Sequence, residues 1–306
     1  MAEPSPQINA VTLPAGTDLQ NLMGHLNGTV GPRIVPGRNI PVPDSVSAEL
    51  GQAIAMPYRN SEWLLNPPDA AGWKSAIADL AAQSIPAIEE IVERLGVGVD
   101  AETIGGVPAF VVTPPNVPAA NVNRLLVNTH GGGYLFNPGR ASLLEPAVIA
   151  ATCGIKVIEV DYRMPPEHPY PAASDDAMAV WRAALTMAPP ANIGLCGGSA
   201  GGGLALSTVL RAKRDGVTAP AAVAVQTPWC DLGPVGDSLK VHEWVDNVLV
   251  TYDAVASRGA RLYAGDADIA DPLLSPLRGD LSGFPPTMLV SGTRDLILSQ
   301  TVLMHR

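Results

Sequence analysis

From residue 71 to 95, apolar side chains return at helical spacing: Trp73, Ile77, Leu80 and Ala81, then Ile85, Ile88, Ile91, Val92 and Leu95. That rhythm predicts one long amphipathic helix, and Gly96 and Gly98 predict its stop. After about residue 97 the rhythm changes, and short β-branched runs alternate with alanine-rich stretches. The strand-like runs are GVPAFVVTPP, RLLVNTH, KVIEVDYR, NIGLCG, AAVAVQTPW and PTMLVSG. Between them, 143–151, 172–185 and 200–214 read as helices. Apolar strands alternating with helices predict an α/β fold with a mostly parallel sheet covered on both faces. The stretch before about residue 45 is rich in Pro, Gly and Asn and reads as an irregular arm. The expected organisation is an N-terminal arm and helical cap over 1–96 and an α/β core over 97–306.

Composition narrows this picture. The 306 residues are 47% hydrophobic and 16% charged, which suits a sizeable core and argues against disorder. A net charge of −10 repels phosphate backbones and anionic membrane surfaces, so nucleic acid is not an expected partner. Cys153, Cys196 and Cys230 are scattered and fit neither a disulfide framework nor a zinc site. They suit a reducing compartment. The start, MAEPSPQINAVTLPAG, has neither the basic nor the apolar region of a secretory signal, so the expected location is cytoplasmic. The run from Ala183 to Leu210 carries no charge, but Pro189-Pro190 and the glycines of 197–203 break it. It reads as strand, turn and buried helix, and no membrane insertion is expected.

In a parallel sheet, chemistry collects at the carboxyl ends of strands. LCGGSAGGG places a G-x-S-x-G pattern there, centred on Ser199. An apolar run precedes it and a small-residue helix follows, the strand–elbow–helix context that a serine nucleophile requires. The helix start offers free N–H groups to a developing oxyanion. The blander alternative is a glycine-rich helix start that binds phosphate or packs tightly. NTHGGGYLF supplies three glycines after another strand, an element that can form half of an oxyanion hole. The N–H of Ala200, the residue after the serine, would complete it.

HGGGY, DYRMPPEHPYPAASDD, GGSAGG, DPLLSPL and FPPTMLVSGTRD follow one another in this order. In order and spacing they resemble the hormone-sensitive-lipase-like (family IV) bacterial carboxylesterases, over roughly residues 100 to 306. The resemblance implies an α/β-hydrolase fold with an N-terminal helical cap. It also implies hydrolysis of short-to-medium-chain acyl esters without metal or cofactor. Ser199 would be the nucleophile, Asp295 the acid, and Gly131, Gly132, Gly133 and Ala200 the oxyanion donors. Glu167, His168, Asp271 and Ser275 would be structural. A three-glycine loop goes with bulkier alcohol portions. Gly198 departs from the commonest pattern, which has Asp there, and bears on subgroup and substrate. A homodimer stays open.

The acid and base need separate arguments. Asp231 and Asp295 both follow strands after Ser199, satisfying the order Ser, acid, His of this fold. Asp295 directly follows MLVSGTR and is preferred. Of the five histidines, His242 precedes Asp295 and breaks the order, while KVHEWV reads as a cap-side or loop helix near the substrate. His305 has the right order. A helix starting near Leu298 would carry it about 10 Å along the axis, toward the opposite edge of the sheet. The base is therefore expected beyond residue 306, where the family places it some way past the acid. A shortened esterase, an impaired relative and an unusual role for His305 remain alternatives. The function expected is a serine carboxylesterase using an acyl-enzyme. The alternatives are a non-catalytic small-molecule binder, or a lactonase, amidase or acyltransferase with the same site. Trp63 and Trp73 are candidates for the pocket lining as well as for ordinary packing.

Overall fold

The computed structural model describes residues 37, 39–56, 58 and 64–306. His25 and Trp63 lie outside the described residues. The chain forms two compact units, Met1–Ser45 and Val46–Arg306. The described part of the first carries neither helix nor strand. In the second, two helices come first: α1 (Ala48–Ala55), then the long α2 (Ala70–Leu95). Asp69 caps α2 by accepting from the Gly72 N–H at 2.8 Å, and Gly96 ends it in the left-handed conformation. Its stripe of Trp73, Ile77, Ile88 and Val92 is buried. At roughly 1.5–3 kcal/mol for each apolar side chain, that stripe outweighs the hydrogen bond lost at Pro86 within the helix.

Seven strands follow: β1 (Gly98–Ile104), β2 (Val107–Thr113), β3 (Leu125–Thr129), β4 (Lys156–Val160), β5 (Ile193–Gly198), β6 (Ala222–Gln226) and β7 (Thr287–Val290). They lie in the order β1-β2-β4-β3-β5-β6-β7. β3 to β7 run parallel, whereas β1 and β2 form an antiparallel hairpin on the β4 side. β1 was not expected from the sequence. It is a mostly exposed edge strand with Asp100 and Glu102, so it has no apolar run to announce it. Gly105 and Gly106, both at positive φ, turn the hairpin.

Alternation along the strands sends side chains to two cores. Val127, Leu195, Val223 and Ile158 pack with α4 (Ala172–Met187) and α5 (Ser199–Asp215). Phe110, Val112 and Val157 face α2 and α3 (Leu144–Cys153). The uncharged stretch noted above becomes the end of α4, then β5, then most of α5. Among the described residues, no helix is long and apolar enough to cross a membrane. Three shorter helices complete the unit: α6 (Ser238–Val241), α7 (Ser257–Ala264) and α8 (Leu298–His305).

Candidate active site

β5 ends at Gly198 and α5 begins at Ser199, so the turn between them has no spare residues. Ser199 has φ of 53°, a left-handed conformation that costs a non-glycine residue about 1–3 kcal/mol. The turn is crowded by backbone. A Cβ on Gly197 would lie 2.6 Å from the Thr129 carbonyl oxygen, and one on Gly201 only 1.8 Å from the same atom. Both outer glycines of the pattern are therefore steric necessities. The Ser199 carbonyl accepts from the Trp229 N–H at 2.9 Å, which ties the elbow to the loop after β6.

The glycine loop reaches this elbow from β3. A Cβ on Gly131 would stand 3.4 Å from the Ser199 Cβ and 3.0 Å from the Gly198 carbonyl oxygen. Gly132 (φ 122°) and Gly133 (φ 62°) bend the chain in ways an L residue resists. The Gly131 oxygen accepts from Asn137 Nδ2 at 3.1 Å, and the Gly132 oxygen from the N–H groups of Leu135 and Phe136. With the carbonyls held from behind, the N–H groups of Gly132 and Gly133 donate to no acceptor among the described residues. Ala200 sits in the first turn of α5, where N–H groups have no intrahelical partner. The glycine loop and the start of α5 thus each carry free donors next to the half-buried Ser199.

His130 is buried. Its ring stacks on Tyr162 at 4.2 Å, its Nδ1 lies 2.9 Å from the Gly131 oxygen, and the Tyr162 hydroxyl donates to its carbonyl at 2.7 Å. Burial pushes its pKa down, so it is a neutral buttress of the loop. Glu167 pairs with Lys74 of α2, and His168 is exposed. Ser275 is buried, donating to the Ile269 oxygen and accepting from the Leu232 N–H. Asp271 accepts from the Leu273 N–H within its own loop.

Asp295 lies in the loop between β7 and α8 and is half-buried. Its Oδ2 accepts from Ser291 Oγ at 2.6 Å and its Oδ1 from the Ile297 N–H at 2.9 Å. Burial raises its pKa, outweighing those hydrogen bonds. Asp231, the competing acid, is buried and accepts from Arg278 Nε at 2.7 Å and from the Gly233 N–H. It is thereby occupied in holding its loop. His242 follows α6, and its Nδ1 lies 2.8 Å from the backbone oxygen of Asp295 and is not paired with the carboxylate. His305 is exposed at the far end of α8. Ser199 Oγ makes no hydrogen bond among the described residues. Trp73 is buried with Ile77, Leu135 and Val255. It also borders an open cavity of about 280 Å³ with Asn66, Arg258, Arg261 and Leu262. No group of side chains among the described residues could hold a metal ion.

Sequence reasoning missed what lies behind the elbow. Gly198 has no side chain, and the tips of Glu145 and Gln226 would meet its Cβ at 3.2 and 3.3 Å. The two are joined, Gln226 Nε2 donating to Glu145 Oε1 at 2.8 Å. The sequence signal was a charged residue at the start of a helix otherwise made of small and apolar residues.

Comparison with known families matches residues 126–306 to the alpha/beta hydrolase fold. An acetyl-hydrolase of Streptomyces hygroscopicus is 34% identical over 199 residues, covering 65% of this chain and 64% of the relative. The chain spans 60% to 64% of the length of three such curated relatives. Among solved structures, that of an esterase E25 superposes with a TM-score of 0.85 at 38% identity, covering 90% of this chain and 85% of the other. A hormone-sensitive lipase from a metagenome library superposes at 0.66 with 31% identity, covering 73% and 75%. The chain belongs to the α/β-hydrolase fold family, on its hormone-sensitive-lipase-like branch.

Proposed function

We propose that the protein is a serine carboxylesterase acting on short-to-medium-chain acyl esters. The observation that carries this reading is the convergence of the Gly131–Gly133 loop on a left-handed Ser199 at the start of α5. Ser199 Oγ attacks the ester carbonyl. The N–H groups of Gly132, Gly133 and Ala200, with Gly131 beside them, take up the oxyanion charge. Collapse expels the alcohol and leaves an acyl-enzyme, which water hydrolyses. Asp295 orients and stabilises a histidine base. His305 is not that base. A cytoplasmic location belongs to the same reading, and the three free cysteines support it. A small-molecule ester is then the partner, and self-association into a homodimer is compatible with it.

Turnover of p-nitrophenyl butyrate, with and without Ser199→Ala, tests the reading. Equal rates in the two proteins would overturn it. His305→Gln should leave the rate unchanged. A second reading, a binder that retains the pocket, is favoured by the free Ser199 Oγ. Heat of binding without turnover, for esters, lactones and amides alike, would support it instead.

A further inference from the structure

Glu159 is a buried carboxyl near the middle of the sheet. It lies on β4 at 0% exposure, between Val157 and the end of the strand, and its neighbour in register on β3 is Asn128, also at 0%. Asn128 Nδ2 donates to Glu159 Oε2 at 2.6 Å. Among the described residues, two acceptor atoms in this part of the core have no partner, Asn128 Oδ1 and Glu159 Oε1. They belong to the same two side chains. Buried acceptors are rarely left unpaired, and a carboxyl placed in an apolar core without a cation shifts to its neutral form.

Among the described residues, no positive charge acts on Glu159. Glu145 approaches from α3, Asp161 follows just past the end of β4, Tyr162 comes next, and Cys196 faces from β5. Each of these is acidic or neutral. The Ser142 hydroxyl, on the turn before α3, already donates to the Gly139 oxygen at 2.9 Å. Among the described residues, no ion pair includes Glu159. Burial first, then Glu145 and Asp161, raise its pKa well above the usual carboxyl range, against the lowering effects of Asn128 and of the Ser142 hydroxyl.

We propose that Glu159 is protonated in the folded protein and forms a cyclic acid–amide pair with Asn128, and that this neutral pair positions the end of β3. The Glu159 O–H donates to Asn128 Oδ1 while Asn128 Nδ2 donates back, so one proton satisfies both orphaned atoms. Asn128 is two residues before His130, where β3 opens into the glycine loop. The pair thus locks the strand that delivers that loop, a role that for catalysis rests on the esterase reading. Glu159 is a positioning residue, since it touches no reacting atom.

Glu159→Gln is the decisive variant, because an amide reproduces the donor and acceptor of a protonated carboxyl. Wild-type protein labelled with ¹³C at the glutamate carboxyls should show one protonated-carboxyl resonance at about pH 7 that Glu159→Gln removes. The sign for stability follows from the raised pKa. The stabilisation is fully present below the unfolded carboxyl pKa of about 4.3 and is lost as pH rises through the folded value. The urea midpoint of Glu159→Gln should therefore gain on wild type as pH rises above the unfolded carboxyl value of about 4.3. Glu159→Leu, neutral but without hydrogen bonds, should lose amide-exchange protection in β3 and the glycine loop by about 10-fold or more, which Gln restores. No protonated resonance in the wild type, or none that Glu159→Gln removes, would overturn the proposal. So would a midpoint difference that is constant with pH. The wild-type resonance needs no variant to fold, and none of these readouts depends on ester hydrolysis.

Discussion

The elbow at Ser199 and the loop at Asp295 are built on opposite principles. The elbow is fixed by backbone: Gly197 and Gly201 press against the Thr129 carbonyl, and no side chain larger than hydrogen fits. The Asp295 loop is fixed by side chains, its carboxylate held by Ser291 Oγ and the Ile297 N–H. It lies next to β7, the last strand of the sheet, where Met288 and Val290 are exposed. A backbone-defined site resists redesign, whereas a side-chain-defined site can be retuned at moderate cost.

Substitutions can break or sharpen that contrast. The largest effect is expected for Ser199→Ala, which should lower kcat for a p-nitrophenyl ester by about 10⁴-fold or more. Asp295→Asn should cost roughly 10³–10⁴-fold in the same assay, yet stabilise the fold. The sign follows from the raised pKa: the stability tied to neutral Asp295 is present below the unfolded pKa and lost as pH rises through the folded one. A permanently neutral Asn avoids that loss, so its thermal midpoint should exceed that of wild type at neutral pH. Gly201→Ala should cost more than about 4 kcal/mol in urea unfolding, because backbone must move. Asp231→Asn should cost about 1–3 kcal/mol, less than a fully buried pair, since Arg278 is 44% exposed. Gly133→Ala meets nothing within 4 Å and should cost only about 1 kcal/mol, from its positive φ. Equal losses at Gly201 and Gly133 would show that conformation, and not crowding, governs the glycines.

The sequence was most legible where chemistry is local. The apolar run into GGSAGG announced β5, the elbow and α5 together, because one stretch of chain encodes all three. The helix after Asp295 was also readable, and His305 ends exposed on its last turn. β1 was silent because an exposed edge strand needs no apolar pattern. The pairings Asn128–Glu159 and Gln226–Glu145 join residues 31 and 81 positions apart, so no local window contains them. Glu159 did leave a trace, a single acid in the apolar run KVIEV, whose meaning depends on which face of the sheet receives it.

Trp73 and Ile77 of α2 pack on Leu135, two residues past the last glycine of the loop, while a Cβ on Gly259 of α7 would press the Gly133 oxygen at 2.9 Å. The cap is thus mechanically continuous with the donors beneath it. A chimaera that borrows α2 from a relative would also move the wall behind the glycine loop. Successful grafts should carry Leu135, Phe136 and Val255 along with the helix, treating cap and loop as one exchangeable cassette.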